Sequence, residues 1–232
     1  YRKILKKLTN YQINSISNQI DTNNNKNLIL EEQIVTFCLK NLKFHKYGVF
    51  ELDEIEFKKQ NNKIKMELLR KILTTCSGKI YGPNLESIKF LLKKIKLNDK
   101  YKFTLHSCVI KIKEKKMLFY REYSFTHKGI EKEVNVDKGS VFLWDSRFRL
   151  ISKKYNLSLF TFSENIWLKL KENFTKKKNK KNIPFEILKT LPVLFIRNLF
   201  FIPFLSDEDE MKKYGIDFYF YPKIQLSKKN FF

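Results

Sequence analysis

The stretch FTLHSCVIKIKEKKMLFYREY, residues 103–123, decides how the chain is read, because the apolar period changes there. Phe103 to Ile112 and Met117 to Tyr123 are runs of β-branched and aromatic residues, and Glu114-Lys115-Lys116 between them suits a hairpin turn. Upstream the apolar residues recur at helical spacing. Ile64, Leu68, Leu69, Ile72 and Cys76 follow a 3.6-residue period and Gly78 is a natural stop, which predicts a helix over Ile64 to Cys76. Pro83-Asn84 opens another helix, with Asn84 as its cap and Leu85, Ile88, Leu91, Leu92 and Ile95 facing inward. Nearer the start, Ile4, Leu5, Leu8, Ile13 and Ile16 mark an apolar stripe, the turn formers of Asp21 to Asn27 interrupt it, and a second helix spans Leu28 to Leu42. Tyr47 to Leu52 reads as a short extended link, and Asp53 as the cap of a brief helix through Lys59.

Downstream, Ser140 to Trp144 and Leu157 to Phe162 predict further strands, and Ser163 caps a helix through Leu170. Thr175 to Asn182 is a solvated basic loop, Pro184 starts a short helix to Leu191, and aromatic residues alternate in the tail at Phe218 and Phe220. The expected fold class is α+β. An N-terminal helical module, residues 1–98, precedes a β-rich module, residues 99–232, with two or three helices.

Of the residues 43% are hydrophobic and 15% aromatic, enough for a packed core, which excludes wholesale disorder. The net charge of +23 favours a polyanionic partner, nucleic acid first. Only six of the 47 cations are Arg, and the chain is rich in Asn, Ile and Phe, so part of the Lys excess is ascribed to codon bias on solvated faces. The six glycines, at 48, 78, 82, 129, 139 and 215, never cluster, which leaves no glycine-rich loop to cradle a nucleotide phosphate. Three well-separated cysteines offer neither a disulfide framework nor a Cys-x-x-Cys zinc site, and a reducing cytoplasmic location is expected. The longest apolar stretch, Leu191 to Leu205, is broken by Pro192, Arg197, Asn198 and Pro203, so no membrane partner is expected.

Catalytic patterns are sparse. His45, His106 and His127 lie far apart, and Ser107 beside Cys108 lacks the flanking glycines of a nucleophile elbow, so no metal site and no catalytic residue is assigned. The positive signals are basic. Arg70, Lys79, Lys89, Lys93 and Lys94 fall on the polar faces or ends of two neighbouring helices, and Lys111 and Arg121 decorate the hairpin. Arg147 and Arg149 alternate with aromatic residues in Leu143 to Leu150. Arg grips phosphate bidentately and stacks on bases, so these nine residues are the candidate polyanion contacts. The alternative for the last segment is a local salt bridge from Asp145 to Arg147 or Arg149 that pins a tight turn.

An ordered set of landmarks carries a resemblance. They are the Leu-Leu-Arg70-Lys-Ile-Leu helix, Gly78-Lys-Ile-Tyr-Gly-Pro83, Thr104-Leu-His-Ser-Cys108, Tyr120-Arg-Glu122, Trp144-Asp-Ser-Arg-Phe-Arg149 and Leu191-Pro-Val-Leu194. In this order they resemble the C-terminal part of the tRNA(Ile)-lysidine synthase family in its alphaproteobacterial form. The family's Tyr-Pro-Pro-Arg-like turn is here Tyr81-Gly82-Pro83-Asn84, and His106-Ser107 stand where two glycines are usual. The resemblance implies an enzyme that uses ATP, with Mg, to ligate lysine to the wobble cytidine of the CAU anticodon of tRNA(Ile). It places adenylation in an N-terminal domain bearing Ser-Gly-Gly-x-Asp-Ser, which this sequence lacks, so the segment itself is expected to bind no ATP and to be inactive alone. The start at Tyr1 is expected of a chain whose catalytic half lies upstream. The nine basic residues then become candidate tRNA contacts. Two rival readings stay open: a stand-alone basic RNA- or DNA-binding module without catalysis, and a small enzyme built from convergent residues such as His106 and Cys108.

Overall fold

The structure, a computed structural model, describes residues 10–97, 101–126, 133–175 and 183–227. The chain divides into two compact units between Asn41 and Leu42. In the first, Asn10–Asn41 form one continuous helix, α1. The run Asp21 to Asn27, expected as a turn, lies inside it. Thr22 satisfies its hydroxyl within the helix by donating to the Asn18 carbonyl at 2.7 Å, so a turn former remains helical. The apolar residues Ile4, Leu5 and Leu8 lie outside the described residues.

The second unit opens with β1 (Leu42–His45), β2 (Val49–Asp53), α2 (Glu54–Lys59), α3 (Asn62–Ser77) and α4 (Leu85–Leu97). There follow β3 (Tyr101–Leu105), β4 (Cys108–Lys113), β5 (Lys116–Arg121), α5 (Tyr123–Thr126), β6 (Glu133–Val136), β7 (Val141–Trp144), β8 (Phe148–Ser152) and β9 (Leu157–Thr161). The remainder is α6 (Glu164–Thr175), α7 (Phe185–Leu188), β10 (Pro192–Ile196), β11 (Leu199–Phe201), α8 (Glu208–Lys213) and β12 (Ile216–Phe220). The α+β class is as the sequence predicts.

The helix starts and stops follow their local chemistry. Asp53 accepts from the Glu56 amide at 2.9 Å, Asn61 from Ile64 at 2.9 Å and Asn84 from Ser87 at 2.8 Å, each satisfying an amide that the first turn leaves unpaired. Ser163 Oγ accepts from the Ile166 amide at 3.2 Å at the start of α6. Gly78 ends α3 at φ 69°, a left-handed conformation that a side chain would strain.

Among the described residues three antiparallel sheets follow, in the orders β1-β2-β5-β4-β3, β11-β10-β9-β6 and β12-β8-β7. The border expected near residue 98 is crossed by the first of them. Tyr47 to Leu52 is no link: Phe50 pairs with Phe119 and Leu52 with Met117, which binds residues 42–53 into the sheet of residues 101–121. One face of this sheet carries Phe50, Leu52, Cys108, Ile110, Ile112, Met117 and Phe119, all buried, and α3 lies over β2, β4 and β5 with Leu68, Leu69, Ile72 and Leu73 buried.

The expected single strand over Phe103 to Ile112 is two strands. His106 and Ser107 adopt φ 55° and 60° and turn β3 back onto β4. Glu114-Lys115, Asp145-Ser146 and Arg197-Asn198 do the same with paired positive φ angles, so four hairpins among the described residues use this left-handed turn without a glycine. The strands β1, β6, β8, β10 and β11 are additions to the sequence reading, the alternating tail is β12, and the basic loop over residues 176–182 lies outside the described residues.

Candidate nucleic-acid interface

The candidate cations separate into a buried group and an exposed one. Trp144 and Phe148 pair at the end of the β7–β8 hairpin, and the turn between them presents Asp145 to two guanidinium groups. Arg121, at the end of β5, donates from Nη2 to Asp145 Oδ1 at 2.8 Å and from Nε to Oδ2 at 3.0 Å. Arg147 donates from Nε to Oδ2 at 2.8 Å, and its side chain is wholly buried. Its Nη1 and Nη2 have no hydrogen-bond partner among the described residues, while the guanidinium stands 5.0 Å from the centre of the Phe148 ring. A Cβ on Gly78 would lie 2.8 Å from Arg147 Cγ and 2.9 Å from the Ser146 carbonyl oxygen, so the end of α3 is packed directly on this turn. Two cations on one carboxylate in the interior form a structural knot. Burial therefore removes Arg121 and Arg147 from direct contact with a polyanion, and the salt-bridge alternative for Asp145 holds with Arg147.

The other seven candidates reach the surface or its margin. Arg70 is exposed on α3, 3.8 Å from the Glu67 carboxylate. Lys89 meets Glu86 at 2.8 Å on α4, and Lys93 follows one turn later on the same face. Lys94 Nζ stands 5.4 Å from the centre of the Phe90 ring, itself exposed. Lys79 follows the α3 stop and leads into the exposed Ile80 and Tyr81. Lys111 donates to Glu186 at 3.0 Å and Lys102 to the same carboxylate at 3.3 Å, on the side of the five-stranded sheet away from α3. Burial pulls the Glu186 carboxyl upward, but hydrogen bonds from its neighbours, Lys111 first, outweigh this and hold it below the usual range. Arg149 lies on β8 with its guanidinium 5.7 Å from the centre of the Tyr221 ring. Thus Arg70 with Lys79, and Lys89 with Lys93 and Lys94, fall on or beside two packed helices, while Arg149 belongs to a separate sheet.

The histidines and cysteines do not assemble a reactive centre among the described residues. Cys108 is fully buried, its Sγ lies 3.7 Å from the Leu73 carbonyl, and burial pushes its thiol well above the usual range, so no thiolate nucleophile is available there. Burial, followed by the charge of Lys79, lowers His106 below its ordinary value of 6.5. No group of His, Cys, Asp or Glu among the described residues is arranged to hold a metal ion. No helix among them is long and apolar enough to cross a membrane. A cleft of about 800 Å³ runs beside β12, lined by Phe44, Phe204, Phe218 and Phe220 and bordered by the Lys46–Glu208 ion pair.

Tyr219 and Tyr221, both exposed, stand outside the sequence candidates. The alternation of the tail was the available signal, but it was read from Phe218 and Phe220, which belong to the opposite face of β12.

No family model matches the chain. It is 31% identical over 133 residues to the tRNA(Ile)-lysidine synthase of Rickettsia rickettsii (strain Sheila Smith), covering 57% of this chain and 27% of that protein. It is 32% identical over 142 residues to that of Rickettsia bellii (strain RML369-C), covering 61% and 32%. With that of Rickettsia felis (strain ATCC VR-1525 / URRWXCal2) the figures are 31% over 118 residues, 51% and 26%. The chain thus spans about a quarter to a third of the length of these curated relatives. Over roughly half of its own length or more, it is similar to proteins named tRNA(Ile)-lysidine synthase.

Proposed function

We propose that this chain is the tRNA-holding, C-terminal portion of a tRNA(Ile)-lysidine synthase and that lysine ligation to the wobble cytidine, with ATP and Mg, belongs to a catalytic half carrying the glycine-rich signature absent here. The observation that carries this reading is the similarity to the Rickettsia enzymes, joined to a net charge of +23 and an exposed Lys face on α4. Diffuse lysines supply phosphate attraction that ignores sequence, and a few Arg and aromatic groups orient the RNA. Arg70, Lys79, Lys89, Lys93 and Lys94 act on or beside the two packed helices, Lys111 and Arg149 act from two other sheet faces, and Arg121 and Arg147 hold the scaffold. The working location is the cytoplasm, and the partners are tRNA(Ile), the catalytic half and, for the whole enzyme, lysine.

The test is filter binding of the purified chain to tRNA(Ile) across a salt series, beside an assay for ATP-dependent lysine transfer. Binding that weakens steeply as salt rises, without transfer, is the expected result. Lysine transfer by this chain alone overturns the division of labour, and equal affinity for tRNA and a neutral polymer overturns the RNA reading itself.

A further inference from the structure

The three-stranded sheet β12-β8-β7 has two unlike faces. Trp144, Phe148, Leu150 and Phe220 point to the buried side. Strict alternation sends their neighbours to the other side: Val141 and Leu143 on β7, Arg149 and Ile151 on β8, Asp217 and Tyr219 on β12, with Tyr221 just beyond. Tyr219 is 38% exposed and Tyr221 49%, and Val141 and Leu143 are exposed as well. The two tyrosine rings stand edge to face with centres 6.2 Å apart. Arg149 pairs across the strands with Tyr219 and lies 5.7 Å from the centre of the Tyr221 ring. At the margin Lys153 meets Asp217 at 2.5 Å.

We infer that this outward face is a stacking platform for unpaired nucleotides of RNA, with Tyr219 and Tyr221 receiving bases and Arg149 the adjoining phosphate or a further base. The inference deepens the tRNA-holding reading and rests on it for the identity of the nucleic acid. A face made only of aliphatic side chains would suit another protein. Here the apolar floor instead carries two aromatic rings and a guanidinium, in a chain whose net charge favours a polyanion. Aromatic rings accept any base through its π-face, and Arg supplies both charge and a planar stacking surface. A β-sheet holds such rings at fixed spacing, which suits splayed bases and excludes a closed duplex.

The test compares the whole chain with its Tyr219→Leu/Tyr221→Leu and Tyr219→Phe/Tyr221→Phe variants. The probes are a labelled single-stranded oligouridylate of about 12 nucleotides, a duplex of the same length, and tRNA. Leu keeps apolar area and removes the π-face, so the Leu pair should bind the single strand about tenfold more weakly or worse. Its affinity for duplex and its salt slope should be unchanged, since no phosphate contact is lost. The Phe pair should stay within about twofold of the parent, and thermal melting confirms that both variants fold. Wild-type single-strand affinity in a folded Leu pair overturns the platform while leaving salt-dependent tRNA binding intact. Failure of the parent to prefer tRNA over a neutral polymer overturns the broader reading, and is scored separately from the tyrosine effect on oligouridylate. Sedimentation that shows a parental dimer dissociated by Tyr221→Ser makes the face a contact between copies and likewise overturns the platform.

Discussion

Arg147 and Arg149 stand two residues apart, yet one is sealed in the interior on Asp145 and the other lies half-open beside Tyr221. The same contrast separates the knot at Asp145 from the Lys face of α4. In the knot two guanidiniums share one carboxylate out of water, so each charge depends on the others. On α4 the cations sit in solvent with loose partners such as Glu86, so each is nearly independent for stability and available to a polyanion. What a basic residue can touch is therefore set by its depth, which composition does not record.

Breaking the knot should give the largest effect. Asp145→Ala leaves Arg121 and Arg147 buried without their counter-charge, and urea unfolding should show a loss of about 3–5 kcal/mol. Unchanged stability would mean that the guanidiniums find water, and that the knot is no more than a surface pair. Next comes Gly78→Ala, which combines φ 69° with the close approach to Arg147 and the Ser146 carbonyl; a loss of about 1–3 kcal/mol by the same measurement is expected. The exposed region should respond in the opposite way. Arg70→Gln/Lys89→Gln/Lys93→Gln should unfold within about 0.5 kcal/mol of the parent per substitution. Its tRNA affinity should fall about tenfold at physiological salt, with a shallower dependence of log K on log salt.

The smallest effect concerns acid. The bond from Lys116, at 2.6 Å, holds the Glu51 carboxyl below its ordinary value of 4.5 against the upward pull of burial, and His45 at 3.2 Å adds to Lys116. A carboxyl depressed in the folded state contributes stability above its unfolded value and loses it as pH falls through the folded one. Melting temperature should therefore drop as pH falls below about 5, and less steeply in Glu51→Gln, by the equivalent of less than about 1 kcal/mol. Equal acid slopes in the two proteins would assign that loss to other carboxyls.

Much of the local structure was legible because it depends on neighbours in sequence. The caps at Asp53, Asn84 and Ser163 and the stop at Gly78 stand where their side chains or lack of one dictate. The division at 41/42 was not legible, since a long helix absorbed Asp21 to Asn27 and residues 42–53 pair with partners far along the chain. Hairpins at His106-Ser107 and Arg197-Asn198 escaped notice because they adopt positive φ without the Asn-Gly or Asp-Gly that usually advertises such turns. At the candidate site, the sequence identified the basic residues, but only strand pairing reveals that Arg149 shares a face with Tyr219 while Arg147 faces the core.

The pairing of β2 with β5 has a consequence for the order in which the protein can be made. β5 begins at Lys116, more than sixty residues after β2 ends at Asp53, and β1 borders the opposite side of β2. During synthesis the β1–β2 hairpin must wait with one ladder of backbone groups open until the ribosome has delivered Arg121. Helices α3 and α4 emerge in that interval and can form locally, but the apolar surface of α3 has no complete sheet to settle on. The nascent chain is thus most vulnerable to mispairing between the appearance of β2 and that of β5, and becomes safer when a single late strand closes the gap.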